Sequence, residues 1–231
     1  MNKVKILGIA GSPRKNGNTT TLVQKALEGA ASVPNVETEL YQLAGKKVHY
    51  CIACFKCLEK GKCIIEDDLQ EIADKYMAAD GIIWGAPVYF VSLPASMKAV
   101  IDRLGNSLAT RYVLQGGDIP RLCKVGGAVT GGAHRNGGQD LVLSYLNDCN
   151  LILNGFSVSG DTITGSYIGS AAHTGGDNPI GKDNVSNDSE GLHTALTTGK
   201  RVAEATKIVQ AGLAALGEEL PGEYRYTWGG A

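Results

Sequence analysis

Short apolar runs alternate with stretches of helical period along most of this chain, and that alternation restricts the fold more than any other feature. Lys3 to Ala10, Val36 to Leu43, Gly81 to Ala86, Lys124 to Thr130 and Phe156 to Ser159 read as strands. Between them, Thr19 to Ala31, Asp68 to Met77, Pro94 to Leu104 and Gln139 to Leu153 carry apolar residues three and four apart, and Gly191 to Leu216 closes the chain as a long helix. Several runs are apolar on consecutive residues, the mark of strands buried on both faces. Strands that alternate with helices pair in parallel and are covered on both sides. The expectation is an α/β, three-layer fold with a five-stranded parallel sheet in the order 2-1-3-4-5. The crevice of such a sheet opens at the carboxyl ends of strands 1 and 3. One domain over residues 1–216, with a tail over 217–231, accounts for the length.

A second feature lies inside that frame. Cys51, Cys54, Cys57 and Cys63 fall within CIACFKCLEKGKC, spaced C-x2-C-x2-C-x5-C. Two-residue intervals let the backbone wrap so that successive thiolates converge, a spacing typical of iron–sulfur clusters and of some zinc sites. A [4Fe-4S] cluster, a tetrahedral zinc and a metal-free loop with reactive cysteines all remain open at this level. Gly61 lets the chain turn before the fourth cysteine, and Lys56, Lys60 and Lys62 surround the run. Cys123 and Cys149 stand apart and read as small buried hydrophobes. Asp67 and Asp68 read as a helix start.

Three loops follow strands 1, 3 and 4. The first, GSPRKNGNTTT, offers Ser12, Asn18, Thr19 and Thr20 as hydroxyl and amide donors and Arg14 as a cation, ahead of a helix N-terminus. It has neither a Walker G-x-x-x-x-G-K-[ST] nor a G-x-G-x-x-G pattern, so it suits a single phosphate monoester such as that of FMN. The second loop, Pro87, Val88, Tyr89 and Phe90, is apolar at an exposed strand end, which a flat ring would cover. The third runs from Thr130, Gly131 and Gly132 to Gly138; its glycines permit close approach, and Thr130 and Arg135 are donors.

These residues resemble the iron–sulfur flavoproteins, within the wider NADPH-dependent FMN reductase group of flavodoxin-like proteins. The resemblance rests on GIAGSPRKNGNTT, the cysteine run, DDLQEIADKYMAADGIIWGAPVYFVSLPASMKAVIDR and TGGAHRNGGQD, and covers roughly residues 1 to 160. It implies FMN at Ser12, Arg14, Asn18, Thr19, Thr20, Pro87 to Phe90 and Thr130 to Gly132, and a [4Fe-4S] cluster on Cys51, Cys54, Cys57 and Cys63. It also implies a homodimer or homotetramer that takes electrons from ferredoxin or NAD(P)H and passes them to a small-molecule acceptor. The cofactors would carry the chemistry, so no catalytic side chain is expected. Two rivals stand beside this reading: a flavin-only NAD(P)H-dependent FMN or quinone reductase, and a non-enzymatic electron carrier or redox sensor.

A formal net charge of -1 gives no reason to expect nucleic acid or an anionic membrane as partner. The longest apolar run, Gly81 to Phe90, is about half of the roughly 20 residues that span a bilayer. No cleavage site follows the first strand, so a reduced, cytoplasmic chain is expected. The stretch 160–190 lacks periodicity and is longer than an ordinary connection.

Overall fold

The structure is a computed structural model. It describes residues 3–110, 118–120, 123–153, 155–175, 181, 183–216, 219 and 223–225. The chain runs β1 (Val4–Ala10), α1 (Asn18–Ala31), β2 (Val36–Gln42), a short α2 (Lys56–Lys60), α3 (Leu69–Ala78), β3 (Gly81–Pro87) and α4 (Ala95–Gly105). It continues through β4 (Asp118–Pro120), β5 (Val125–Gly132), α5 (Gln139–Ile152), β6 (Phe156–Ser157), β7 (Ser170–His173), α6 (Ser189–Leu216) and β8 (Glu223–Arg225).

The central sheet follows β2-β1-β3-β5-β6, all parallel, so the flavodoxin-like order holds. Its fifth position is divided. The expected last strand ends at Ser157, and β7, which carries no periodic pattern in the sequence, pairs with the far half of β5 from Ser170 to His173. The stretch 160–190 therefore supplies a piece of the sheet and a 3-10 turn at Asn184–Asn187. The tail contributes β8, antiparallel to β4 in a separate two-stranded sheet.

Strand alternation sends successive side chains to opposite faces, and each face has its own core. Leu7, Ile9, Ile82 and Trp84 pack beneath α3, α4 and α5, with Leu69, Ile72, Val100, Leu104 and Leu146. Ile6, Ile83, Val125 and Val129 pack with Leu22, Val23, Val202 and Ala203 of α1 and α6. Each such side chain, fully buried, contributes roughly 1.5–3 kcal/mol. The two helices on the second face approach closely through glycine. A Cβ on Gly199 would lie 1.8 Å from the Ala26 carbonyl oxygen, and one on Gly29 1.9 Å from that of Leu196. On the first face the Trp84 indole N–H donates to Asn150 Oδ1 at 2.7 Å, so the largest core side chain keeps its polar atom paired. The edge strand β2 carries Glu37 and Glu39 in ion pairs with Lys3, Lys5 and Lys75, charge that discourages pairing with another sheet.

Candidate functional site

The register places the three loops at one end of the sheet. Ala10 faces Gly85, and Pro87 faces Gly131, so the chain leaves β1, β3 and β5 on neighbouring tracks. Backbone bonds tie them: Gly11 N–H to Gly85 O at 2.7 Å and Val88 N–H to Gly131 O at 3.0 Å.

In the first loop Ser12 is buried, and its Oγ accepts from the Arg14 N–H at 3.1 Å. Thr19 and Thr20 are buried in the first turn of α1, and the Thr20 hydroxyl donates to Gln42 Oε1 at 3.2 Å. Gln42, which sequence reasoning passed over, also accepts the Asn16 N–H and donates to Asn16 Oδ1, both at 3.0 Å. The α1 N-terminus has no side-chain cap and no acidic residue in its first turn. Its leading N–H groups and the positive end of its dipole thus favour an anion from outside the chain. Asn18 has partners within the chain. Its Nδ2 donates to Gly181 O at 2.8 Å and its Oδ1 accepts from the Val185 N–H at 3.1 Å, so it fastens Gly181 and Val185 to α1 and keeps a second Nδ2 hydrogen. Thr21 reinforces this by donating to Asp183 at 2.8 Å.

In the second loop Tyr89 and Ser92 exchange backbone hydrogen bonds at 2.8 and 3.0 Å around a two-residue turn. The turn residues, Phe90 at φ 45° and Val91 at φ 66°, occupy left-handed backbone that normally selects Asn or Gly. Phe90 is wholly exposed, and Tyr89 and Val91 are largely so. A strained turn that holds apolar groups in water is unfavourable twice over, and such strain clusters at ligand sites.

In the third loop Thr130 is turned inward. It is fully buried, and its hydroxyl donates to Ala86 O at 2.7 Å, which pins β5 to β3 and leaves nothing to donate to a ring. Gly132 and Gly137 are braced by Gln139, another unforeseen residue, whose Oε1 accepts the Gly137 N–H at 2.8 Å. Gly138, at φ 102°, lies against Val91, so the second and third loops touch. Arg135 is exposed and borders a groove of about 770 Å³ with Val91, Gln139 and Tyr167.

The cysteine run forms its own small site. All four cysteines, with Phe55, Ile65, Arg103, Asn106 and others, line one cavity of about 80 Å³. The backbone is left-handed at Ala53 (φ 50°), Phe55 (φ 54°) and Gly61 (φ 71°), which curls the segment around that cavity. Burial pushes the Cys57 thiol up, and Cys63, Cys54 and Cys51 add to the rise, a sign of their closeness. Among the described residues no group of three or more His, Cys, Asp or Glu is placed to hold a single metal ion. A donor set of four thiols around a cavity suits a cluster.

Two residues beside this cavity escaped the sequence reading. Arg103 is 1% exposed, and both its Nε and Nη2 point at Cys63 Sγ, at 3.4 and 3.3 Å. Asn106 Nδ2 points at Cys51 Sγ at 3.5 Å. Asp67 is more than a helix start: one oxygen accepts the Leu69 N–H at 3.0 Å, the other the Arg103 guanidinium. Burial alone would raise the Asp67 carboxyl, yet Arg103 and the backbone donors hold it below the ordinary range. A signal existed in the sequence: Arg103 stands three residues after Val100, among the apolar positions of α4, where a charge needs a buried partner. His49 is turned away, with Nδ1 2.8 Å from the Tyr50 carbonyl oxygen.

Comparison with known proteins agrees with this arrangement. The model of the NADPH-dependent FMN reductase family matches residues 4–167. An iron-sulfur flavoprotein of Methanocaldococcus jannaschii is 42% identical over 209 residues, covering 90% of this chain and all of that protein. An iron-sulfur flavoprotein of Methanosarcina thermophila is 34% identical over 90% of this chain and 97% of its own. Among solved structures, an NAD(P)H:quinone oxidoreductase from Methanothermobacter marburgensis shares the fold, with a TM-score of 0.60 at 14% identity over 87% of this chain and 99% of that one. The cradle of three loops at one sheet end, the four thiols around one cavity and these relatives converge: the chain belongs to the iron–sulfur flavoproteins of the NADPH-dependent FMN reductase family, and is an FMN-dependent oxidoreductase.

Proposed function

We propose that this protein carries a [4Fe-4S] cluster on Cys51, Cys54, Cys57 and Cys63 beside its FMN. In this reading it moves electrons from NAD(P)H or ferredoxin to a small acceptor, as a cytoplasmic homodimer or homotetramer. When bound, the two groups supply exchange between one-electron and two-electron carriers. The chain supplies position and exclusion of water. The first-turn N–H groups of α1, with Ser12, Arg14, Thr19 and Thr20, hold a phosphate; Asn18 fastens the flanking stretch. Pro87, Val88, Tyr89 and Phe90 meet the face and polar edge of a planar ring. Gly131 and Gly132 allow close backbone approach, Thr130 fixes the strand that bears them, and Arg135 offers a cation at the rim. The ferredoxin arm rests on the exposed Lys56, Lys60 and Lys62 around the cysteine run, a surface suited to an acidic carrier.

The observation that carries the reading is the convergence of four thiols on one cavity next to α4, the helix that starts where the FMN loop ends. Anaerobic purification with iron, sulfide and flavin assays tests it. Cys57→Ala is expected to lose the iron and retain FMN at one per chain. Wild-type protein that keeps FMN, reduces quinone with NAD(P)H and holds no iron would establish the flavin-only reductase instead.

A further inference from the structure

Arg103 lies in the last turn of α4 with 1% of its surface exposed, where an unpaired guanidinium would be prohibitively costly. Its partners account for every nitrogen. Nη1 donates to His49 O at 3.0 Å and Asp67 Oδ2 at 2.5 Å; Nη2 donates to Ile65 O at 3.0 Å and to Cys63 Sγ; Nε donates to Cys63 Sγ. Asp67 is itself fixed by the N–H groups of His49 at 2.8 Å and Leu69 at 3.0 Å. The carboxylate and the two carbonyls accept three of the five guanidinium N–H groups. Here a full edge of the fork is turned on one sulfur. A neutral thiol is a weak acceptor, whereas a thiolate makes a charge-assisted, two-pronged bond.

Asn106, three residues further along, repeats the gesture toward Cys51 at 3.5 Å. Residues three apart share a helix face. The helix passes at Asn106 into a π-helical turn, Asn106–Thr110, a distortion frequent at functional sites. The end of α4 therefore presents hydrogen-bond donors to two of the four sulfurs.

We propose that Arg103, clamped by Asp67 and seconded by Asn106, is the positioning residue that sets the reduction potential of the thiolate-bound cluster. The inference rests on the cluster reading above. Hydrogen bonds to cluster sulfurs and adjacent positive charge favour the more negative, reduced state and raise the potential. The grip falls mainly on Cys63, so the four ligands are unequal, with the electron-rich character of that one most reduced.

The test is an EPR-monitored redox titration of the holoprotein, with iron and FMN determined on the same samples. Arg103→Lys keeps the charge and the pairing with Asp67 but loses the fork. Arg103→Gln combined with Asp67→Asn removes one positive and one negative charge together, so a change in potential reports the lost bonds and not net charge. Both are expected to shift the cluster potential to more negative values while iron content and FMN spectrum stay at the wild-type level. Asn106→Ala, outside the buried pair, is expected to shift it in the same direction by less; its potential decides the matter should the Arg103 variants fail to fold. Wild-type potentials in variants that hold their iron overturn the proposal and leave the cluster reading intact. Wild-type protein without iron overturns the cluster reading, and this one with it.

Discussion

Lys124 shows what a single buried charge does away from the site. It is 8% exposed, and its ammonium donates to Met77 O at 3.1 Å and to Ala79 O, the carbonyls left open at the end of α3. It also lies 5.3 Å from the centre of the Tyr76 ring. Burial pulls its pKa down to about 8, with Asp80 opposing the fall. In the unfolded chain a lysine titrates near 10.4, so between those values the unfolded state binds more protons than the folded one. Stability therefore rises as pH climbs through that window, by up to about 3 kcal/mol, because the buried amine becomes neutral only in the folded protein. Below pH 8 both states are charged and the residue adds no slope. Denaturant unfolding at several pH values, for wild type and Lys124→Met, should show a rise between about pH 8 and 10.4 that the variant lacks. Equal slopes would mean that the two carbonyls hold the proton more firmly than burial expels it.

At the scale of elements, the Tyr89–Ser92 hairpin sets stability against function. Two left-handed residues that are not glycine cost of order 1–3 kcal/mol each, and the fully exposed Phe90 gains nothing from packing within the chain. Replacing Phe90-Val91 by Asn-Gly gives the turn the residues its backbone selects. The replacement is expected to stabilise the apoprotein by about 1–2 kcal/mol in thermal unfolding. It should also weaken FMN binding at least tenfold by fluorescence titration, because the apolar tip proposed to meet the ring is gone. A variant that is stabilised and binds FMN as tightly as wild type would remove the hairpin from the FMN site. The hairpin also explains what the sequence left hidden. Apolar composition marks the loop, but nothing in PVYFVS announces positive φ, since the turn is imposed by the bonds between Tyr89 and Ser92 and by the contact of Val91 with Gly138.

For the molecule as a whole, the FMN loops and both cores lie before Leu216, while the one paired segment of the tail among the described residues, β8, meets β4 outside the central sheet. A chain ending at Leu216 is expected to take up FMN at the full ratio. Its unfolding midpoint should stay within about 4 °C of wild type, the shift that about 1 kcal/mol produces in a domain of this size. Loss of FMN or a larger drop would make the tail part of the domain. Tyr226 and Trp228 of the aromatic tail lie outside the described residues. The α4 helix has a different reach: 11 residues span about 16 Å, joining the end of the second loop on one side to the donors on Cys63 and Cys51 on the other.

The pattern of residues alone was enough for the parallel sheet, its order, the three loops and the four cysteines, because each is written in local period or spacing. Asn18 and Thr130 show where that stops: both carry donors, yet Gly181 takes one Asn18 N–H, Val185 donates to its Oδ1, and Ala86 takes the Thr130 hydroxyl. Arg103, Asp67 and Gln42 are the converse, assigned their work by partners 22 to 54 residues away. A side chain's chemistry is local, but whether its hydrogen bonds are spent or spare depends on which distant segment folding brings against it. Only the packed chain decides that, because most buried polar groups must be paired at once.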